Sequence, residues 1–160
     1  MSEHISGAGA TFQQAVGVLT SAHGSQALLS PDGGEDFSAG LTVTPSTAFA
    51  ALEDGQAILV DVRTHEERKA GGYPAQSIHI PWRIGPALLR NPRFTRELSS
   101  KAAPGAILFL ICRSGARSLE AAAAARKAGL AEVWSVSGGC EGEASTVEGW
   151  RPLGLPWSQG

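Results

Sequence analysis

The sequence predicts an α/β protein whose parallel sheet is covered by helices on both faces. From residue 41 onward, short apolar segments alternate with segments of helical periodicity. The segments over residues 57–62 and 106–111 are continuously apolar or β-branched but for one aspartate, as in strands that are buried on both faces. In such sheets, ligands bind beyond the carboxyl ends of the strands. Residues that directly follow the strands are therefore the first candidates for a functional site.

The first elements follow from local signals. Residues 41–43 form a short strand. Thr44 is a suitable N-cap for a helix over residues 45–53, and Pro45 fits the first turn of that helix. Gly55 follows the end of the helix, where a residue without a Cβ is favoured. The continuous apolar segment over residues 57–62 is then the next strand.

A second helix begins after that strand. Thr64 and Glu67 have the spacing of a capping box, in which each side chain accepts a hydrogen bond from the other residue's backbone N–H. The short helix that they start ends at Gly71 and Gly72. Residues 77–80 form a third strand, which stops at a proline.

The second half of the chain repeats the alternation. Phe94 and Leu98 lie one helical turn apart, and Gly129 follows a run of alanines. The predicted elements are a helix over residues 91–100, a strand over 106–111, a helix over 118–128 and a strand over 133–136. With the earlier elements they predict a parallel sheet.

Residues 1–40 differ in composition from the rest. They are rich in Gly, Ser, Ala and Gln, and such a segment buries little apolar surface. A short helix over residues 11–19 is one interpretation, because Phe12, Val16 and Leu19 would share a face; a disordered leader is the other. We therefore predict a flexible or partly helical N-terminal extension over residues 1–40 and one domain over residues 41–160.

Composition excludes several classes of function. The chain of 160 residues carries a net charge of −2, so its overall field attracts neither nucleic acid nor membrane. Its two cysteines, Cys112 and Cys140, are too few for a disulfide scaffold and indicate a reducing compartment. Its four histidines are scattered and give no zinc-site spacing. There is no long apolar run or secretory leader, so a cytoplasmic location is expected.

The most informative residue is Cys112, where an apolar strand meets a tight turn before a helix. Gly115 permits the turn, and successive backbone N–H groups then form a nest for an anion. Ser114 adds a hydroxyl donor, Arg113 places a charge at the mouth, and Arg117 either holds the loop or contacts an anion. A thiol in this setting ionises readily and attacks electrophilic sulfur or phosphorus. The alternative is a cysteine that only packs.

Five motifs resemble, in their order, those of the rhodanese family of single-domain sulfurtransferases. The resemblance spans residues 41–157. The motifs occupy residues 60–67, 72–81, 111–118, 136–139 and 149–156. It implies a rhodanese-like three-layer α/β/α fold with a central five-stranded parallel sheet.

The resemblance also implies a reaction. Cys112 takes sulfur from a donor such as thiosulfate, becomes a persulfide, and passes the sulfur to cyanide or a thiol, with no metal or organic cofactor. Asp61 and Arg63 are expected to support the loop structurally. The residues that would bind substrate are Arg113, Ser114, Gly115, Ala116 and Arg117.

Two other functions stay open. One is a persulfide carrier or regulatory binding module that serves a protein partner. The other is a phosphatase or arsenate reductase, although related phosphatases have one more residue between the cysteine and the arginine that closes the loop. The expected partners are a small anionic sulfur donor, a cyanide or thiol acceptor and a possible protein sulfur acceptor, with no nucleic acid and no membrane.

Two departures from the family pattern carry expectations of their own. Arg68 stands where an aromatic residue is common, so its helix is expected to pack less tightly. Cys140 also stands where an aromatic residue is common; it is either a resolving thiol for Cys112 or a small residue that packs in a turn.

Overall fold

The computed structural model of the protein describes residues 40–144 and 147–159. Of the predicted N-terminal extension, residues 1–39 lie outside the described part of the chain, so the division into an extension and a domain stays a prediction. The described strands are β1 (Thr42–Val43), β2 (Ala57–Asp61), β3 (Tyr73–Pro74), β4 (Ser77–His79), β5 (Arg83–Ile84), β6 (Leu89–Arg90), β7 (Ile107–Ile111), β8 (Val133–Val136) and β9 (Trp157–Ser158). The described helices are α1 (Pro45–Glu53), α2 (His65–Gly71), α3 (Phe94–Lys101) and α4 (Ala116–Lys127).

Five strands form the predicted parallel sheet. Their order is β1-β8-β7-β2-β4, and every neighbouring pair is parallel. The central strand β7 is buried along its whole length. Its last residue, Ile111, lies opposite Asp61 at the end of β2, so the two strands finish at the same edge. The fold class implied by the family resemblance is confirmed.

Two hydrophobic clusters cover the two faces of the sheet, because successive residues of a strand point to opposite sides. Phe109 belongs to the cluster that contains Ala48 and Ala51 of α1. Its neighbour Leu110 belongs to the cluster formed with α3 and α4, which contribute Leu98 and Ala122 among others. This arrangement gives the three layers, and it places α4 against the sheet directly behind the cysteine loop.

The helix predicted over residues 91–100 begins three residues later, at Phe94. Asn91 is held in a turn instead of a helix. Its backbone N–H donates to the carbonyl of Trp82 at 2.8 Å, and its side-chain oxygen accepts the N–H of Arg93 at 3.0 Å. Long-range anchoring to Trp82 therefore decides where α3 starts, which no local pattern reveals.

The helix predicted to begin at Ser118 starts two residues earlier, at Ala116. Gly115 has φ of +110°, in the region that L side chains rarely adopt. The turn ends at this glycine, and the helix follows at once. The thiol loop is thus two residues closer to the helix N-terminus than the sequence predicted.

Two antiparallel pairs were not predicted. β3 pairs with β9 near the chain's end, and β5 pairs with β6 in a hairpin after β4. Each strand has two residues, too few for a hydrophobic period to be visible in the sequence. The hairpin and the C-terminal strap, which is the segment over residues 155–159 that contains β9, therefore come from the structure alone.

None of the helices in the described part of the chain has the length and hydrophobicity of a bilayer span. The longest described helix, α4, has 12 residues. At 1.5 Å per residue it is about 18 Å long, well short of a hydrocarbon core of about 30 Å. The cytoplasmic location stays a prediction.

Candidate active site

Cys112 follows β7 directly and lies at the carboxyl edge of the central strand. The residue is 1% exposed. Its sulfur accepts a hydrogen bond from the backbone N–H of Gly115 at 3.1 Å, across the turn of the loop. The hydroxyl of Ser118 lies 3.3 Å from the same sulfur. The sulfur therefore has one backbone donor, the Gly115 N–H, and one neighbouring hydroxyl group, that of Ser118.

The loop backbone carries further donors. Among the residues that the structure describes, no acceptor faces the backbone N–H of Arg113, Ser114, Ala116 or Arg117. The last two open α4, where the helix leaves its first N–H groups unpaired and the dipole favours negative charge. This arrangement is the anion nest that the sequence predicted for the loop.

A buried pair of hydroxyl groups, which sequence reasoning missed, backs the sulfur. Ser118 lies in the first turn of α4, and its hydroxyl is 2.8 Å from that of Ser135 in β8. It also lies 3.1 Å from the carbonyl oxygen of Gly115. Both serines are fully buried. A polar residue between Trp134 and Val136 in a buried strand was the available signal for Ser135.

The guanidinium of Arg117 forms an ion pair with the carboxylate of Glu67. Its two terminal nitrogens donate to the two carboxylate oxygens of Glu67, both at 2.7 Å. Those hydrogen bonds lower the pKa of Glu67 to about 2 and raise the pKa of Arg117. Of the two roles left open by the sequence, the geometry supports the one in which Arg117 holds the loop.

Glu67 serves two elements at once. The predicted capping box is present: the Thr64 hydroxyl accepts the N–H of Glu67 at 3.2 Å, and Glu67 accepts the N–H of Thr64 at 3.0 Å. The carboxylate that closes this box is the one that binds Arg117. The start of α2 and the start of α4 are therefore joined by one side chain, which the sequence analysis did not identify as a site residue.

The other members of the predicted substrate-binding set line the loop. Arg113 is exposed, and its side chain has no carboxylate partner among the residues that the structure describes. Ser114 is half-buried and Ala116 is exposed. Arg113 is thus the cation of the loop that stays available to an incoming anion.

Asp61 and Arg63 form a buried ion pair at the edge of the sheet where β7 ends, and their role as a support for the loop stays a prediction. Arg63 donates to Asp61 through Nε at 3.0 Å and through a terminal nitrogen at 2.8 Å, and that nitrogen also reaches the carbonyl of Gly72 at 2.8 Å. Burial opposes the charge of Arg63, but the hydrogen bonds to Asp61 and the charges of its neighbours together raise its pKa. His79 donates through Nε2 to the carbonyl of Arg63 at 2.8 Å, so it is a satisfied structural histidine.

Arg68 anchors α2 through polar and stacking contacts, and no residue of this helix is buried. Its guanidinium donates to Asp61 at 3.2 Å and to the hydroxyl of Ser77 at 3.0 Å. The same group stacks on the ring of Tyr73, 3.8 Å from the centroid. Polar and stacking contacts thus replace the packing of an aromatic side chain.

A second loop backs the cysteine loop through its main chain. The N–H of Cys140 donates to the carbonyl of Cys112 at 2.7 Å, and the N–H of Glu141 donates to that of Arg113 at 2.9 Å. Gly139 makes this approach possible. A Cβ on it would overlap the Cys112 carbonyl oxygen and lie 2.7 Å from the Arg113 carbonyl. This contact explains the Gly-Gly motif after β8.

The position of Cys140 supports the interpretation that it packs in a turn and is not a resolving thiol for Cys112. Its side chain belongs to the cluster on the α1 face, whereas Cys112 belongs to the cluster on the α4 face. The residue is fully buried, and burial raises the pKa of its thiol. A thiol that is buried and protonated is a poor resolving group.

Comparisons with known proteins agree with this fold. A family model described as Rhodanese-like domain matches residues 44–145, more than half of the chain. Thiosulfate sulfurtransferase 18 of Arabidopsis thaliana is 34% identical over 102 residues, which cover 62% of this chain and 74% of that protein. A senescence-associated protein of Raphanus sativus is 35% identical over 82 residues; the match covers 50% of this chain and only 44% of the radish protein.

A solved structure is also similar. The crystal structure of Rv0390 from M. tuberculosis has a TM-score of 0.64 and 33% sequence identity. The similarity covers 74% of this chain and 97% of that chain.

Proposed function

This chain belongs to the rhodanese-like domain family, and on that premise we propose that it is a sulfurtransferase that works through a persulfide on Cys112. One observation carries the proposal. The Cys112 sulfur accepts the Gly115 N–H at 3.1 Å and lies 3.3 Å from the Ser118 hydroxyl, at the bottom of a loop with unpaired N–H groups. This environment stabilises a thiolate and the negative charge that develops on a sulfur bound to it.

The reaction has two displacements. The Cys112 thiolate attacks the outer sulfur of thiosulfate, a sulfur–sulfur bond forms, and sulfite leaves with the electron pair of the broken bond. Cyanide or a thiolate then attacks the outer sulfur of the persulfide, and Cys112 leaves as a thiolate. The loop N–H groups stabilise the outer sulfur in both steps, and no external oxidant or reductant is consumed.

The charges of the loop favour a small anionic donor. Arg117 is neutralised by Glu67, so it attracts no donor directly. Arg113 is exposed at the loop and supplies the available positive charge. The length of the loop also supports sulfur over phosphate, because four residues lie between Cys112 and Arg117.

The test is the intact mass of the protein after incubation with thiosulfate. We expect a gain of one sulfur atom in the wild type and in Cys140→Ser, the matched control, and no gain in Cys112→Ser. Subsequent cyanide should restore the original mass and release thiocyanate. A gain that survives in Cys112→Ser would contradict the proposal, as would the absence of a gain with every sulfur donor tried.

Rates with different acceptors and substrates separate the alternatives. A carrier or regulatory module would form the persulfide but pass its sulfur to dithiols much faster than to cyanide. A phosphatase or arsenate reductase would turn over phosphate esters or arsenate in a Cys112-dependent manner without taking up sulfur. We expect neither of these last two reactions.

A further inference from the structure

The β5–β6 hairpin exposes apolar side chains in an unusual concentration. Four large hydrophobic residues are exposed in the described part of the chain, and three of them lie on this hairpin. They are Ile84 at 38%, Leu88 at 51% and Leu89 at 66% exposure. The fourth, Leu153 at 37%, lies in the C-terminal turn. Single exposed hydrophobic side chains are common on protein surfaces, but a cluster of them on one short element indicates an interaction site.

The base of this hairpin is firmly held, so the exposed tip is not a loose loop. The N–H of Asn91 donates to the carbonyl of Trp82 at 2.8 Å. Arg90 stacks on the buried indole of Trp82, 4.5 Å from the ring centroid, and Trp82 packs edge-on against Phe94. At the tip, Leu88 has φ of +52°, in the left-handed region that costs conformational free energy for a residue with a Cβ.

The hairpin stands beside the cysteine loop. The indole N–H of Trp82 and the guanidinium of Arg83 both donate to the carboxylate of Glu120, at 3.2 Å each. Glu120 lies on α4 four residues after Ala116, which is about one helical turn or 6 Å from the start of that helix. The base of the hairpin is therefore fastened to α4 about one helical turn from the cysteine loop.

Although the whole chain carries −2, the hairpin over residues 83–90 contains two arginines and no aspartate or glutamate. One of them, Arg83, is paired with Glu120 of α4. Arg90 has no carboxylate partner among the described residues, and the same holds for Arg113 in the loop. An acidic surface with an apolar residue is the complement of such a face.

We propose that the β5–β6 hairpin is the docking surface for a protein whose thiol accepts the sulfur, and that this protein presents acidic and apolar residues around that thiol. The inference rests on the proposed function, since it names the acceptor class for the Cys112 persulfide. Cyanide and small thiols need no docking surface beside the loop. A protein thiol does, because its cysteine must be placed against the persulfide for the second displacement.

The experiment measures sulfur transfer from the persulfide to two synthetic cysteine peptides of equal length. One carries Asp, Glu and Leu around the cysteine, and the other carries Lys and Ser at those positions. The double variant Leu88→Ser/Leu89→Ser is compared with the wild type and with Leu153→Ser. We expect the double variant to lower kcat/KM for the acidic peptide about tenfold or more, as when the burial of leucine side chains is lost. Its rates with cyanide and with the basic peptide should match the wild type, as should all rates of Leu153→Ser.

Each other outcome overturns the inference. Transfer to the acidic peptide at the wild-type rate in the double variant would leave the sulfurtransferase proposal standing and remove the docking surface. Failure to form any persulfide would remove both. Sedimentation with anionic phospholipid vesicles that is lost in the double variant would mean that a membrane occupies the hairpin. As a control for folding, the melting temperatures of the variants should equal that of the wild type.

Discussion

At the scale of single residues, two buried hydroxyl groups, those of Ser118 and Ser135, lie in series behind the Cys112 sulfur. Within the described part of the protein, the Ser135 hydroxyl has one polar neighbour, that of Ser118 at 2.8 Å. Its hydrogen therefore points to Ser118, whose own hydrogen is left for the Cys112 sulfur or the Gly115 carbonyl. Ser135 is thus a candidate positioning residue, because it fixes the orientation of the Ser118 hydroxyl beside the Cys112 sulfur without touching that sulfur.

Ser135→Ala should slow the alkylation of Cys112 by iodoacetamide about threefold to tenfold at neutral pH. The measurement is the rate of alkylation against pH, with Ser137→Ala, one residue beyond the end of the same strand, as the matched control. A Ser135→Ala profile that coincides with the wild type would show that the hydroxyl pair only fills space.

At the scale of elements, the ion pair between Glu67 and Arg117 joins the N-termini of α2 and α4. The pair is bidentate, with both distances at 2.7 Å, and its side chains are 31% and 25% exposed. Because the hydrogen bonds from Arg117 lower the pKa of Glu67 from 4.5 to about 2, the folded protein binds that proton less readily than the unfolded chain. The stability from Glu67 is therefore complete above about pH 4.5 and is lost as the pH falls toward about 2.

Glu67→Gln should lower the free energy of unfolding by about 1 kcal/mol at neutral pH, since a bidentate but partly solvated pair loses its charge. The difference from the wild type should narrow as the pH falls below about 4.5. Urea midpoints across this range measure it, and Glu66→Gln, an exposed neighbour on the same helix, is the control. A difference that is independent of pH would mean that Glu67 acts through capping alone.

At the scale of the whole molecule, the C-terminal strap packs against Arg63, which is paired with Asp61. β9 pairs with β3, and the indole N–H of Trp157 donates to the carbonyl of Gly71 at 3.1 Å. The same ring lies against Arg63, 5.6 Å from its guanidinium carbon, and Arg63 holds Asp61. Trp157 therefore links the end of the chain to the edge of the sheet.

Trp157→Ala should lower the free energy of unfolding by about 2 kcal/mol, less than for a fully buried tryptophan because the side chain is half-buried. Equilibrium denaturation measures this loss. Gln159→Ala, an exposed residue of the same segment, should unfold like the wild type. Equal stability of Trp157→Ala and the wild type would show that the strap is dispensable.

Much of the architecture could be predicted because its signals are local. The cap at Thr44, the capping box of Thr64 and Glu67, and the apolar strand that ends at Cys112 are all present in the structure. The start of α3 was misplaced because Asn91 is bound by Trp82, nine positions earlier in the chain. Strands of two residues carry no period, so the hairpin was missed.

The sequence by itself determined the fold class and the order of the elements and indicated the candidate nucleophile, because periodicity, capping and glycine conformation act between residues close in the chain. Only the tertiary structure decided what surrounds the sulfur. Ser118 meets Ser135 across 17 positions and Arg117 meets Glu67 across 50, and such pairs leave no local pattern. Arg117 was expected either to bind an anion or to hold the loop. The carboxylate that folding brings to it supports the second role.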